Sequence, residues 1–322
     1  MRLSYEEIKS VTFGALSIDE KDGAFSFFKC TDKQTAAWYE VSETLGQRSL
    51  TTTGVRLDFH TDSKTLRFGA VGGGKFEVLV DGVLRKQFVR QEGELTAELS
   101  LDMPNGRAKD GVRVTLVLPS HTAGRLSFVE LDDGASLIPH VFDRKILFIG
   151  DSITQGHNTK YDTLSYAWQT TLALNANSVI NGIGGAFYHI PAFDTLSFEP
   201  DTVIIAYGTN DSMRYKDNPE EMYRQVTGYL DLVKEAYGSK RVIVTSQIFR
   251  ADAEFKPIGE WFDKRRLMIE EEAEKRGFIA ISGLTLMPPL TDCFADRYLH
   301  PNDLGFSVYA VNLITKLREL SV

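Results

Sequence analysis

Three separated segments of this 322-residue sequence carry side chains that can act together in acyl transfer. The apolar run 146–149 ends at Gly150, and Ser152 follows with a hydroxyl group that can attack a carbonyl carbon. Asn210 supplies a carboxamide just after another apolar run, and His300 supplies an imidazole just before the last helical segment. A nucleophile, a hydrogen-bond donor and a base are the groups that an acyl-transfer site needs.

The chemistry of acyl transfer assigns a role to each group. A serine hydroxyl is a weak nucleophile until a base removes its proton, and histidine binds a proton near neutral pH, so His300 is the expected base. The tetrahedral intermediate needs preformed hydrogen-bond donors for its oxyanion, and the expected donors are the N–H groups of Ser152 and a glycine and the Asn210 carboxamide. Taken alone, Gly-Asp-Ser more often forms a turn with a capping serine. The segments together favour a catalytic site.

The elements that must position these residues follow from the rhythm of the sequence after residue 145. Apolar strand-like runs alternate there with helical segments, which predicts a parallel sheet covered by helices on both faces. In such a sheet ligands bind beyond the carboxyl ends of the strands, where Ser152, Asn210 and His300 are expected to meet. The predicted strands are 146–149, 178–180, 202–207, 241–244 and 278–281, and the predicted helices are 165–174, 219–236, 261–276 and 304–320.

Up to about residue 140 the sequence alternates with the period of half-buried strands. Asp81-Gly82 is typical of a hairpin turn, and many short strands predict an all-β sandwich of the jelly-roll kind. The glycine run 72–74 lacks the spacing of a phosphate-binding loop and is predicted to be a hairpin loop. We therefore expect two domains, residues 1–140 and 141–322. The alternating runs are 55–60, 66–71, 76–80 and 112–118.

Composition and charge exclude several classes of function. A net charge of −8 argues against a nucleic-acid partner, which needs a concentrated basic surface. No apolar stretch approaches the ~20 residues that span a bilayer, so no membrane partner is expected. Cys30 and Cys293 are far apart and the histidines share no metal-ligand spacing, so we expect neither metal nor cofactor. The N-terminal residues lack the apolar core of a signal peptide and two free thiols fit a reducing compartment, which predicts a cytoplasmic protein.

The residues of the catalytic segments and their order along the chain resemble those of the SGNH (GDSL-type) hydrolase superfamily, over roughly residues 145–322. The resemblance implies a flavodoxin-like three-layer α/β/α domain and a carboxylic ester hydrolase that uses no cofactor. The superfamily carries a glycine after its second strand, usually within Asn-x-Gly-x-x-Gly, and the related stretch here begins at Asn181. Aligned on Gly-x-x-Gly, the resemblance implies the oxyanion role for Gly185, with Gly184 as the alternative register.

One position departs from the superfamily pattern. Its aspartate usually stands three residues before the histidine, and that position is Arg297 here. The nearest carboxylate is Asp296, four residues before His300, and Asp292 is a more distant candidate. We predict that Asp296 completes a triad. The alternative is a dyad of serine and histidine in which a backbone carbonyl orients the ring.

The β-sandwich that directly precedes the catalytic segments is similar to the two-domain arrangement of carbohydrate esterase family two and related bacterial acetylesterases. This resemblance implies removal of short acyl groups, above all acetyl, from a small-molecule or oligosaccharide ester. The catalytic half also lacks the apolar lid segment of a long-chain lipase. Two alternatives stay open, a short-chain lipase or lysophospholipase-like esterase and a carbohydrate-binding protein whose hydrolase half has decayed.

Overall fold

The structure is a computed structural model, and it describes residues 1–102, 111–252 and 259–322. Its N-terminal part contains short helices and many antiparallel strands. The helices are α1 (Tyr5–Ser10), α2 (Asp32–Val41) and α3 (Glu43–Ser49). The strands are β1 (Thr12–Phe13), β2 (Ser17–Lys21), β3 (Ala24–Phe28), β4 (Arg56–Thr61), β5 (Thr65–Val71), β6 (Gly74–Val80), β7 (Val83–Arg90), β8 (Glu94–Ser100), β9 (Val112–Val117), β10 (Arg125–Leu131) and β11 (Ile138–Pro139).

These strands form two antiparallel sheets, of order β1-β4-β9-β6-β7, with β11 also on β4, and of order β2-β3-β10-β5-β8. Phe59, Phe76 and Leu116 from the first sheet pack with Phe68 and Leu126 from the second in one buried core. Burying one such side chain contributes about 1.5–3 kcal/mol, so this shared core holds the sheets together. The predicted β-sandwich is confirmed.

Two features of the N-terminal part differ from the expectation. The glycine run 72–74 was predicted to be a hairpin loop, but it connects β5 in one sheet to β6 in the other, so that prediction is wrong. The alternation of two neighbouring strands does not reveal that they lie in different sheets. Helices α1 to α3 were not predicted. Two of them begin with a capping box, Ser4 with Glu7 and Thr31 with Gln34, and these pairs are the sequence signal for them.

The C-terminal part alternates strands and helices as expected, and its strands form one parallel sheet of order β13-β12-β14-β15-β16. In the numbering of this sheet alone the order is 2-1-3-4-5, which is the flavodoxin-like order. The predicted flavodoxin-like domain is confirmed. The strands are β12 (Arg144–Gly150), β13 (Ala176–Gly182), β14 (Thr202–Ala206), β15 (Arg241–Thr245) and β16 (Ile279–Ile281). The helices are α4 (Ser152–Gln155), α5 (Tyr166–Ala173), α6 (Thr209–Arg214), α7 (Pro219–Tyr237), α8 (Gly259–Lys275) and α9 (Asp303–Glu319).

Both faces of the parallel sheet are covered by helices. Val226 on α7 and Ile269 on α8 belong to the apolar cluster on one face. Trp168 on α5 and Phe306 on α9 belong to the cluster on the other face. The chain therefore has three layers in this part, and only the ends of the strands stay open for a ligand. None of the helices in the described ranges is both long and apolar enough to cross a membrane.

A buried carboxylate joins the two parts of the chain. Glu77 on β6 is fully buried, and its oxygens accept hydrogen bonds from the backbone N–H groups of Asp162 at 2.6 Å and Thr163 at 3.2 Å. The Thr163 hydroxyl and the Gln87 amide also donate to it, at 2.7 and 2.9 Å. Because a buried carboxylate is stable only when its oxygens are satisfied, the loop after α4 is fixed to the sandwich.

We expect Glu77→Gln to lower the free energy of unfolding by about 1–3 kcal/mol, because the new amide group would face the Thr163 N–H and leave it unpaired. Equilibrium urea denaturation measures this change. Glu98→Gln is the matched control, since Glu98 is 67% exposed and faces Arg67 at 3.4 Å. Its expected effect stays within about 0.5 kcal/mol. Equal stability of the two variants would contradict a structural role for Glu77.

Candidate active site

The loop between β12 and α4 presents Ser152. Gly150 ends the strand, and a side chain at this position would collide with Thr154, whose Oγ1 lies 2.0 Å from the place of a Cβ atom. Asp151 caps the short helix by accepting a hydrogen bond of 2.9 Å from the Ile153 N–H. Ser152 is therefore the first residue of α4, and its hydroxyl lies on the wall of a pocket at the carboxyl end of the sheet.

The structure brings Ser152, His300 and Asp296 into one hydrogen-bonded row. Ser152 Oγ lies 3.0 Å from His300 Nε2, and His300 Nδ1 lies 2.7 Å from Asp296 Oδ2. A ring whose Nδ1–H donates to the carboxylate leaves Nε2 as an acceptor for the serine proton. The row thus has the geometry of a nucleophile, a base and an orienting carboxylate.

The four-residue spacing between Asp296 and His300 is accommodated by one left-handed residue. Arg297 has φ of 66°. The chain turns there so that Asp296 Oδ1 accepts three backbone hydrogen bonds, from Tyr298 at 3.1 Å, Leu299 at 2.8 Å and His300 at 3.1 Å. Its other oxygen is left for the imidazole. Partial burial raises the pKa of Asp296, but these backbone bonds and the bond to His300 outweigh it and hold the pKa below its usual value.

Asp292, the more distant candidate, lies outside this row. Its side chain is 87% exposed, and its carboxylate faces the Arg297 guanidinium at 3.6 Å. The backbone-carbonyl alternative is also not seen, because Nδ1 is occupied by Asp296. Whether Asp296 acts in catalysis stays a prediction.

The predicted oxyanion donors Gly185 and Asn210 line the same pocket as Ser152. Gly185 has φ of 89°, in the left-handed region that favours glycine. Asn210 Nδ2 donates to the Ala186 carbonyl oxygen at 2.9 Å and lies 3.5 Å from Asp151 Oδ2. These two contacts hold the carboxamide at the pocket wall and engage both hydrogens of its nitrogen, and the longer bond to Asp151 is the weaker one, which an oxyanion would share or replace.

Two buried aspartates stabilise the loops that carry these donors. Asp211 accepts backbone hydrogen bonds from Gly208 at 3.0 Å and Tyr188 at 2.8 Å, which ties the start of α6 to the loop after β13. Burial raises the pKa of Asp211 to about 7. Burial also raises the pKa of Asp151 to about 7, and the nearby Asp211 carboxyl adds to this shift.

The pocket has a volume of about 580 Å³ and is lined mostly by residues with polar or charged side chains. Among its lining residues in the described ranges, Leu299 is the one large hydrocarbon side chain. The His157 ring packs edge-on against His300, with ring centroids 4.6 Å apart. The lining residues are Arg48, Lys75, His121, Ser152, Gln155, His157, Asn158, Thr159, Gly184, Gly185, Asn210, Leu299 and His300.

The sequence pattern of the GDSL-like lipase/acylhydrolase family matches residues 148–308, which is half of the chain. The chain belongs to this family. This acylhydrolase is a carboxylic ester hydrolase, and the resemblance to SGNH hydrolases is confirmed. No curated protein matches the chain at the level of sequence.

Several solved structures share the fold of this acylhydrolase across both of its parts. The salicylyl-acyltransferase SsfX3 from a tetracycline biosynthetic pathway has a TM-score of 0.80 at 20% identity, over 97% of this chain and 94% of its own. A family two carbohydrate esterase from Cellvibrio japonicus has a TM-score of 0.65 at 16% identity, over 96% of this chain and 94% of its own. The acetyl xylan esterase Est2A from Butyrivibrio proteoclasticus has a TM-score of 0.61 at 16% identity, over 83% of this chain and 89% of its own. The β-sandwich followed by a hydrolase domain is thus a shared architecture.

Three pocket residues of the acylhydrolase lie outside the family-matched segment and were missed from the sequence. Arg48 lies in the last turn of α3, Lys75 lies on β6, and His121 follows β9, yet all three line the pocket with Ser152. No spacing or motif connects them to the catalytic segments, because only the packing of the sandwich against the hydrolase domain brings them there. His157, which follows α4 inside the family-matched segment, also lines the pocket.

We expect Asp296→Asn to lower kcat of the acylhydrolase by up to ~10⁴-fold with little change in KM, because the imidazole loses the charge that fixes its tautomer. The pKa of Asp296 lies below its usual value, so the carboxylate stays ionised around neutral pH and the loss should persist from about pH 6 to 9. Steady-state hydrolysis of p-nitrophenyl acetate measures it. Asp292→Asn is the matched control and should behave like the wild type. A mild effect of Asp296→Asn would leave a Ser152-His300 dyad.

Proposed function

We propose that this acylhydrolase is a serine esterase that works through an acyl-enzyme on Ser152. The observation that carries the proposal is the hydrogen-bonded row from Ser152 through His300 to Asp296, which opens into the pocket. Ser152 Oγ attacks the ester carbonyl carbon while its proton passes to His300 Nε2. The carbonyl oxygen becomes the oxyanion and receives hydrogen bonds from the N–H groups of Ser152 and Gly185 and from the Asn210 carboxamide.

The intermediate then collapses. The bond to the alcohol oxygen breaks, and His300 gives its proton to the departing alcohol. Water then attacks the carbonyl carbon of the acyl-enzyme while His300 Nε2 accepts a proton from it. The bond to Ser152 Oγ breaks, His300 returns the proton to this oxygen, and the free acid leaves. During both steps the imidazole is transiently positive, and Asp296 at 2.7 Å from Nδ1 stabilises that charge.

We further propose that the substrates are short acyl esters, above all acetyl esters of carbohydrates. The residue types that line the pocket support this substrate class, since Leu299 is its one large hydrocarbon side chain in the described ranges. A long acyl chain gains about 0.8 kcal/mol for each methylene that it buries, and this pocket offers it no continuous row of hydrocarbon side chains. Hydroxyl-rich sugars, in contrast, have polar partners in the side chains of Gln155 and Asn158 on the pocket wall. The likeness to an acetyl xylan esterase and to a family two carbohydrate esterase supports the same substrate class.

A second candidate is acyl transfer to an alcohol other than water, which uses the same acyl-enzyme. The observation that favours it is the likeness, over 97% of the chain, to a salicylyl-acyltransferase. The partition of the acyl group between water and added sugar alcohols distinguishes the two activities. A transferase would release mainly the new ester at millimolar acceptor, whereas an esterase would release mainly the free acid.

We expect Ser152→Ala to abolish ester hydrolysis without loss of stability, because it removes one oxygen from a pocket wall. Activity on p-nitrophenyl acetate and thermal denaturation measure both properties. Ser10→Ala, on the exposed helix α1, is the matched control. Mass spectrometry after treatment with an alkyl phosphonate should find the adduct on Ser152. Substantial turnover by folded Ser152→Ala protein, purified from a host that lacks esterase contaminants, would refute the proposed mechanism.

For substrate choice, we expect kcat/KM on p-nitrophenyl esters to fall by about tenfold or more from acetyl to octanoyl, the reverse of what burial of each methylene would produce in an apolar channel. Acetylated xylobiose and glucose pentaacetate, assayed by acetate release, test the carbohydrate itself. A steady rise of kcat/KM with chain length would favour the short-chain lipase alternative. Binding of oligosaccharide without hydrolysis of any ester would favour the decayed hydrolase.

A further inference from the structure

Arg48 reaches from the end of α3 to the turn that carries Gly185. Its guanidinium Nη1 donates a hydrogen bond of 2.8 Å to the Gly184 carbonyl oxygen, across 136 positions of sequence. The guanidinium also lies close to the next residue, because a Cβ atom placed on Gly185 would be 3.2 Å from Nη1. A side chain of the N-terminal part thus contacts the peptide group between the two glycines.

That peptide group is the central one of a β-turn. The Ala186 N–H donates to the Ile183 carbonyl oxygen at 2.9 Å, so Gly184 and Gly185 are the two central residues of the turn. The φ of 89° at Gly185 is that of a type II turn. A type I turn differs from it chiefly by a flip of the central peptide, with a negative φ at the third residue. Glycine adopts both signs of φ with similar ease, so these two residues alone do not select one orientation.

The orientation of this peptide decides which group faces the oxyanion. The described peptide bonds are all trans, and in a planar trans peptide the C=O and N–H point in opposite directions. A carbonyl of Gly184 held on the side of Arg48 therefore directs the Gly185 N–H to the other side. After a flip the Gly184 carbonyl oxygen would point where the Gly185 N–H had pointed. The negative end of the peptide dipole would then face the oxyanion and destabilise it.

We propose that Arg48 is a positioning residue that holds the Gly184–Gly185 peptide with its N–H available to the oxyanion. The inference rests on the proposed serine mechanism, in which Gly185 supplies one of the donors. A hydrogen bond from a charged guanidinium is stronger than one between neutral groups, so it favours the type II turn. It also polarises the peptide, which makes the Gly185 N–H a better donor.

The backbone of Arg48 is itself held in place. Its carbonyl oxygen accepts hydrogen bonds from the Thr51 hydroxyl at 2.9 Å and from the Lys29 ammonium at 3.4 Å. Lys29 is buried and also donates to the Thr51 carbonyl oxygen at 2.8 Å. Leu45, on the same helix, would contact a Cβ atom on Gly185 at 3.5 Å. Helix α3 therefore presents the guanidinium from a fixed position, which is the condition for orienting another group.

The test compares Arg48→Met with Gln47→Met, its neighbour on the same helix, whose side chain bonds Glu43 at 2.8 Å. Loss of one oxyanion donor costs about 10²–10³ in kcat, and loss of its support should cost about 10- to 100-fold, with KM changed by less than about threefold. A short alkyl trifluoromethyl ketone adds to the serine and forms an oxyanion, so its inhibition constant should rise by the same factor. Gln47→Met should leave all three quantities unchanged.

Two further variants keep the result interpretable if Arg48→Met folds poorly. Arg48→Lys retains a charged hydrogen-bond donor on a shorter side chain and should keep more activity than Arg48→Met. Arg48→Ala should regain kcat when millimolar ethylguanidinium is added, whereas sodium chloride at equal ionic strength should have no effect. Thermal denaturation of each variant accompanies the kinetics, and rescue without a change in Tm separates positioning from stabilisation.

Specific outcomes overturn the proposal. A folded Arg48→Met with kcat within about threefold of the wild type would refute it, as would a loss confined to KM, which marks uniform substrate binding. These results differ from failure of the proposed function. If the wild type hydrolyses no ester, or Ser152→Ala stays active, the serine mechanism fails. If both behave as expected and Arg48→Met is normal, the role of Arg48 alone fails.

Discussion

The site depends on the pairing of β12 with parallel strands on both of its edges. Gly150, the last residue of β12, is in register with Gly182 of β13 and with Ala206 of β14, so the three strands end at one level. The chain order reverses across β12, since β13 lies on one side and β14 on the other. The connections that follow leave toward opposite faces and open a crevice between them. Ser152, Gly185 and Asn210 follow these three strand ends.

His300 reaches the crevice by a different route, because no strand carries it. A bridge between Phe294 and Pro301 closes the loop 295–300, and Ala295 donates to the His300 carbonyl oxygen at 2.8 Å. The carboxylate of Asp296 fills the loop from inside. One side chain thus organises the backbone through one oxygen and the imidazole through the other, and the loop geometry and the ring orientation cannot change independently.

The sequence predicts the structure best where the pattern of apolar residues directly reflects burial in the fold. The runs 146–149 and 202–207 are apolar because both faces of their strands are buried, and they predict the parallel sheet and the place of Ser152 and Asn210 directly. Asp296 was chosen only as the nearest carboxylate. The left-handed turn at Arg297 that brings it to the imidazole has no signal in the sequence, because arginine rarely adopts positive φ. Arg48 was not predictable, since its contact depends on how two separately patterned parts of the chain pack.

The same limit explains the errors in the N-terminal part. Alternation shows that a strand has one buried face, but it does not show which sheet the strand joins, so the sequence alone favours a hairpin at 72–74 where the chain crosses between sheets. The short helices α2 and α3 interrupt a β-rich region, and their weak apolar periodicity is outweighed there by the strands around them. The packing of α3 beside Gly185 is visible only in the tertiary structure.

The apolar cluster on one face of the parallel sheet includes two residues of the sandwich, Leu79 and Val117, packed with residues such as Phe148 and Trp168. Arg56 of the sandwich adds a hydrogen bond of 2.9 Å to the Ala176 carbonyl oxygen. The two parts consequently share interior volume rather than a mere boundary. A sandwich transplanted from a distant relative would bring the wrong shapes against Trp168. A substitution in this shared interior therefore alters the packing of both parts at once, and the sandwich is no interchangeable module.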